Sequence, residues 1–198
     1  MELMTVVAII AVLASLTIVG FKSAQTSASR NRTATFHAAI KSGLEQYFSD
    51  NGEYPTPKDT LGMDTFQGRR VVAGPSKMLY QALSGDGDSE IVLGSPKLGP
   101  SDGRVQGIEV NFVKLLEMPV EMKRPATNGW VLVDGFNNPF QYTKGPDRPR
   151  AGQPPPPQNT MNATYDLWSF GESQGNLTQT DLGSKQNTNI SAKWIKNW

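Results

Sequence analysis

From Met4 to Phe21 the chain carries no charge and consists mainly of Val, Ile, Leu and Ala. About 18 such residues reach the lower limit for crossing a bilayer core of roughly 30 Å as a helix. Every face of the run is apolar, so it differs from a surface helix, which keeps one side for water. Two other readings fit less well. A secretory signal peptide would open on basic residues and close on a small-x-small cleavage site before an unrelated mature start, and neither is present. A buried core helix of the domain itself is the bland alternative, and the uniformly apolar faces favour the membrane over it.

After Phe21 the pattern becomes amphipathic without a break. Phe36, Ile40, Leu44, Tyr47 and Phe48 recur at spacings of three and four, which sets them on one helical face. Lys22, Arg30, Arg32, Lys41 and Glu45 supply polar positions, and Asp50-Asn51-Gly52 ends the run with residues able to take the left-handed C-terminal conformation. The sequence therefore predicts one helix from near Glu2 to Asp50, about 70 Å long at 1.5 Å per residue. It divides the chain into a hydrophobic transmembrane or filament-core part (1–22), an amphipathic continuation (23–50) and a globular part (51–198). A helix this long exceeds ordinary globular lengths and points to an extended, assembly-forming subunit. The fold class expected is α+β, with Phe36, Ile40, Leu44 and Phe48 packed on a small antiparallel sheet.

Beyond Tyr54-Pro55 the chain is loop-rich. A short helix is expected over Ser76–Leu83, opened by Pro75 and closed by Gly85, and strands over Ile108–Val113, Trp130–Val133, Phe140–Thr143 and Tyr165–Phe170. Pro154 to Pro157 predict an extended polyproline II segment at the surface, read as an exposed insertion with recognition as the sharper alternative. The charges, 19 basic against 18 acidic with a net of +1, give no electrostatic case for a nucleic-acid partner. The chain has no cysteine, which excludes disulfides and thiolate metal sites. No phosphate-cradling loop, serine nucleophile elbow or histidine pair is present, so enzymatic activity has no positive support.

The run Glu2-Leu3-Met4-Thr5-Val6-Val7-Ala8-Ile9-Ile10-Ala11-Val12-Leu13-Ala14-Ser15-Leu16 resembles the prepilin-type segment of type IV pilins and type II secretion pseudopilins. Leu44 to Thr56, with its Asp-Asn-Gly-Glu-Tyr-Pro core, resembles the helix end and following loop of the major pseudopilin. Asp134-Gly135-Phe136-Asn137-Asn138-Pro139-Phe140-Gln141-Tyr142 resembles that family's Asp-x-aromatic-Gly-x-Pro-aromatic stretch, with Asn137 in place of its glycine. Asp166 to Gly171 resembles its late strand, and Asn197-Trp198 its ending. Leu61–Val133 and Thr143–Thr164 are longer than the family needs and look like insertions.

The resemblance implies a single-pass protein of the inner membrane, with its globular part in the periplasm or outside the cell and a filament as its assembled form. It implies as partners identical subunits, minor pseudopilins, an inner-membrane assembly platform, membrane lipid and a prepilin peptidase that cuts after a glycine and exposes a methylated phenylalanine. Glu2 matches the family's early glutamate, thought to meet the terminal amine of a neighbouring subunit. A lone acid bounding an uncharged spanning helix is costly and is normally functional. Ala8, Ala11, Ala14 and Ser15 allow close helix approach. The leader and its glycine do not precede Glu2 here, so the expectation is either a truncated start or unusual processing. A missing basic leader also accounts for Lys22, Arg30 and Arg32 following the span, against the positive-inside rule. Val19 stands where the family often has proline, and Ala11 where it often has glycine, which implies a straighter helix. Two other readings stay open: a minor pilin or surface adhesin, and a membrane-anchored periplasmic binding module that never polymerises.

The residues themselves call for no cofactor. The resemblance raises calcium, which the major pseudopilins often bind in an acidic C-terminal loop. Here Gly171–Gly175 and Thr180–Gly183 keep only part of that acidity, and with the endings aligned instead Lys193 and Trp194 fall at the acidic pair. Asp86, Asp88 and Glu90 read as a solvated turn, because Ile91 stands where a calcium loop needs its glycine. His37, the sole histidine, reads as a polar residue at the edge of the apolar stripe. Four Asn-x-Ser/Thr triplets, at Asn31, Asn162, Asn176 and Asn189, are the chance product of an Asn/Thr-rich chain.

Overall fold

The computed structural model describes residues 2–56, 63–66, 68–85, 114–126, 129–146, 149, 152–173 and 177–198. Helix α1 runs unbroken through Glu2–Asn51, 50 residues. It ends as the Asp-Asn-Gly signal requires: Gly52 takes φ +75°, its N–H donates to the Phe48 carbonyl at 2.8 Å, and the Asn51 side chain donates to the Tyr47 carbonyl at 2.9 Å.

The rest of the described chain forms a head of small antiparallel sheets and short helices. Strands β1 (Met63–Phe66) and β2 (Arg69–Val72) make one hairpin, and β3 (Lys123–Ala126) and β4 (Gly129–Leu132) another. Strands β5 (Gln141–Lys144), β6 (Tyr165–Ser169) and β7 (Ile195–Lys196) form a three-stranded sheet with β6 in the middle. Helix α2 (Gly74–Ser84) packs on β4 and β5. Two short helices, α3 (Leu182–Gln186) and α4 (Thr188–Ser191), lead into β7. The layout is α+β, with the strands divided among three sheets where one was expected.

Helix α2 follows its sequence signals, with Pro75 in its first turn and Gly85 at φ +78° closing it. It is buried nearly all round: Met78, Leu79, Tyr80, Gln81, Ala82 and Leu83 are all covered. Strands β4, β5 and β6 fall within a residue of their expected positions. Ile108–Val113, Asp86, Asp88, Glu90 and Asn176 lie outside the described residues. Pro154–Pro157 are exposed and outside helix and strand, as a proline run requires.

Two apolar clusters hold the head together. One gathers Phe36, Ile40 and Leu44 of α1 with Leu79 and Leu83 of α2, Leu132, Phe140, Tyr142 and Leu167. Burying three large side chains of α1 there contributes about 2 kcal/mol each. Phe48 departs from the expectation. It is 42% exposed and stacks on Tyr54 with ring centroids 4.7 Å apart, outside the core. Tyr47, one residue earlier, takes the inward position instead. The second cluster surrounds Trp168, whose ring stacks on Trp194 and meets Trp198 edge-on.

Candidate functional site: the exposed apolar helix and its seat on the head

Residues 3–15 of α1 are exposed. Leu3, Met4, Ile10, Leu13 and Phe21 are all more than half exposed, and Leu3 reaches 77%. This is a helix long and apolar enough to cross a membrane, with none of its most apolar stretch buried by the protein's own head. Glu2 is the first helical residue. Ala8, Ala11, Ala14 and Ser15 are exposed along the same rod, free for contact with lipid or another helix.

The second half of α1 is seated on the head by polar fastenings as much as by apolar burial. The seat centres on the stretch Asp134–Asn138. The buried Asp134 carboxylate accepts from the N–H groups of Phe136 and Asn138, both at 2.8 Å, and from the Ser169 hydroxyl. Burial pushes the Asp134 carboxyl above its ordinary range, against the pull of these donors. Asn137 sits at φ +63°, a left-handed position that asparagine tolerates and glycine would fill with least strain.

The turn then meets α1 backbone to backbone. The Gly135 N–H donates to the Thr33 hydroxyl at 3.0 Å, and that hydroxyl donates back to the Ser29 carbonyl at 2.7 Å. A Cβ at Gly135 would lie 2.2 Å from the Ser29 carbonyl oxygen, so only glycine fits. Beyond Ser169, the Asn138 amide donates to the Gly171 carbonyl at 2.8 Å, which ties the same turn to the end of β6. Thr33 is completely buried although it breaks the apolar stripe. The periodicity of apolar residues gave no hint of it.

Further fastenings line the helix. His37 hydrogen-bonds through Nε2 to the Leu167 carbonyl at 3.0 Å, and burial lowers its pKa below 6.5. Arg30 pairs with Glu172, joining α1 to the turn after β6. The Glu45 carboxylate accepts from the hydroxyls of Tyr54, at 2.9 Å, and Tyr165, at 3.0 Å. Burial, with the hydrogen bond to Glu45, pushes Tyr54 up to about 12 and raises Tyr165 in the same way. Gly43 lets α1 approach Leu83 of α2 closely.

The described acids of the two stretches weighed for calcium have partners within the protein; residues 174–176 lie outside the described residues. Glu172 faces Arg30. Asp181 caps α3, accepting from the Ser184 N–H at 3.0 Å and its hydroxyl at 2.6 Å, and these bonds lower its pKa. Lys193 is exposed and Trp194 lies in the indole stack. Among the described residues no three His, Cys, Asp or Glu side chains gather as metal ligands. Calcium asks for six to eight oxygens, several of them carboxylate, and this donor set does not fit it.

Helix and head together define a class: an α+β domain carried on a helix long and apolar enough to cross a membrane. Comparison with protein-family models, with curated proteins and with solved structures finds no match.

Proposed function

We propose that the chain is a structural subunit that polymerises into a filament of the type II secretion pseudopilus or type IV pilus kind. The observation that carries this reading is the division of α1. One half is fastened to its own head at Thr33, Phe36, His37, Ile40 and Leu44, and the other is a bare apolar rod. The rod rests in the inner membrane as a reservoir. On assembly it leaves lipid and packs against identical rods, at little hydrophobic cost because both surroundings are apolar. Head-to-tail contacts between identical subunits then extend without closing. Resemblance at Glu2–Leu16, Leu44–Thr56, Asp134–Tyr142 and Asp166–Gly171 supports the same reading. So does the seat described above, because the Asp134–Tyr142 stretch meets α1 at Ser29 and Thr33.

Glu2 carries the assembly step. A carboxylate at the edge of the rod reaches water or headgroups in the membrane-held monomer. In a filament core it needs a cationic partner from another subunit. Glu2→Ala is expected to leave membrane insertion and head folding intact while abolishing or misregistering filaments, and Glu2→Gln to do the same. Filament yield and membrane-bound subunit are measured side by side. Normal filaments from Glu2→Ala refute the role of Glu2. Wild-type protein that remains a monomer in the presence of its assembly machinery favours the membrane-anchored module that never polymerises.

A further inference from the structure

Lys185 and Asp166 form an ion pair with both side chains fully buried, Nζ to Oδ2 2.9 Å. Nothing in the assembly reading uses it. Lys185 comes from α3 and Asp166 from the central strand β6. The ammonium also donates to the Thr143 hydroxyl of β5 at 3.2 Å and to the Asn159 carbonyl, in the chain after the proline run, at 3.4 Å. It lies 4.6 Å from the centre of the Trp168 ring, which adds the attraction of the π face. Its three N–H donors thus have three oxygen acceptors. Asp166 is equally occupied: Oδ2 also accepts from the Met161 N–H at 2.8 Å, and Oδ1 from the Asn162 N–H at 3.0 Å.

One positive charge therefore joins β5, β6, α3 and the loop entering β6, all through oxygen. A bound divalent ion would cross-link loops in that manner. The usual argument for a metal, buried carboxylate oxygens with no partner, does not apply here, since Asp166 is satisfied by the protein itself. Burial pushes the Lys185 ammonium below the ordinary lysine range while Asp166 and Asp181 pull it back. The charge is costly to bury and persists through its partners.

We infer that the Lys185 ammonium is the built-in cation of the C-terminal region, and that the head completes its fold without calcium or any other divalent metal. This goes beyond the assembly reading and does not depend on it.

The test uses the full chain in detergent micelles, with thermal unfolding followed by the fluorescence of its four tryptophans, of which Trp168, Trp194 and Trp198 form the indole stack. In the wild type the midpoint is expected to agree within about 1 °C between chelator and about 1 mM calcium. Calcium held with a dissociation constant of about 1 μM would instead raise it by roughly 10 °C. Such a calcium-dependent rise overturns the inference. Lys185→Met keeps much of the side-chain length and removes the charge. It is expected to lower the midpoint by roughly 10 °C, because Asp166 is left as an uncompensated buried charge. Adding Asp166→Asn to that variant is expected to recover most of the loss. A double variant as unstable as the single one would show that Lys185 acts through its packed stem and would overturn its role as a cation. So would a Lys185→Met variant as stable as the wild type. The wild-type comparison decides the metal question even where a variant fails to fold.

Discussion

Gly135→Ala is the sharpest probe of how the head is held on its helix. The added Cβ would sit 2.2 Å from the Ser29 carbonyl oxygen, 2.9 Å from its carbonyl carbon and 3.0 Å from its Cα. Ordinary heavy-atom contact is about 3.5 Å, so helix and turn must part by roughly 1 Å. Both colliding groups are backbone, one in a continuous helix and the other in a turn pinned by Asp134, so no flexible side chain can absorb the shift. Overpacking of this kind costs about 1–3 kcal/mol. The same displacement stretches the 3.0 Å bond from the Gly135 N–H to Thr33 beyond hydrogen-bond range, a further loss of about 1 kcal/mol. The sum, about 3 kcal/mol, corresponds to a fall of roughly 6–12 °C in the unfolding midpoint for a protein of this size. Thermal unfolding of the full chain in micelles measures it directly. Gly20→Ala is the control. A Cβ there meets nothing within 4 Å, and in a helix interior alanine is favoured over glycine by about 1 kcal/mol. A Gly135→Ala midpoint within about 2 °C of the wild type would refute the idea that the turn and α1 are locked backbone to backbone.

Two further outcomes follow from the same geometry. Removal of residues up to Ser23 is expected to yield a soluble, folded head, since every α1 side chain in the core lies beyond that point; circular dichroism and cooperative unfolding of the truncated protein check it, and an unfolded product would contradict the two-part helix. His37 titrates lower in the folded chain than its ordinary 6.5, so the unfolded state takes up the proton first as pH falls. Stability is expected to decline as pH drops below about 6.5 toward the folded value, and His37→Gln, which keeps a donor for the Leu167 carbonyl, is expected to flatten that part of the profile.

The long helix was legible because two patterns, uniform apolarity and then a stripe at spacings of three and four, abut with no breaker between them. Helix α2 was legible from Pro75 and Gly85, whose backbone preferences bound it regardless of context. Phe48 shows where periodicity stops being sufficient. It shares the stripe's spacing, but the buried face turns toward Tyr47 at the last turn, and Phe48 finds Tyr54 instead. Thr33 and Gly135 were missed as a pair because their meeting depends on two segments 102 residues apart. Lys185 was invisible for a different reason. Lysine among Gly, Ser and Gln reads as a solvated surface, and no local pattern separates it from the other lysines. Asp166 offered the available signal, a carboxylate in a strand otherwise built of Tyr, Leu, Trp and Ser and buried throughout. Strand β7, two residues long, is too short to carry a pattern.

The contact between α1 and the strand pair β6 and β7 sets an order of events during synthesis. Helix α1 ends at Asn51 and β7 begins at Ile195. At ribosomal speeds the intervening chain takes on the order of ten seconds to make. At the start of that interval α1 is complete, while Phe36, Ile40 and Leu44 still lack the covering residues, which lie between Met78 and Leu167. A helix long and apolar enough to cross a membrane is thus complete before the head it carries. The same helix presents three apolar side chains that stay uncovered until those residues are made, so every nascent head passes through a period in which its future core is open to its surroundings.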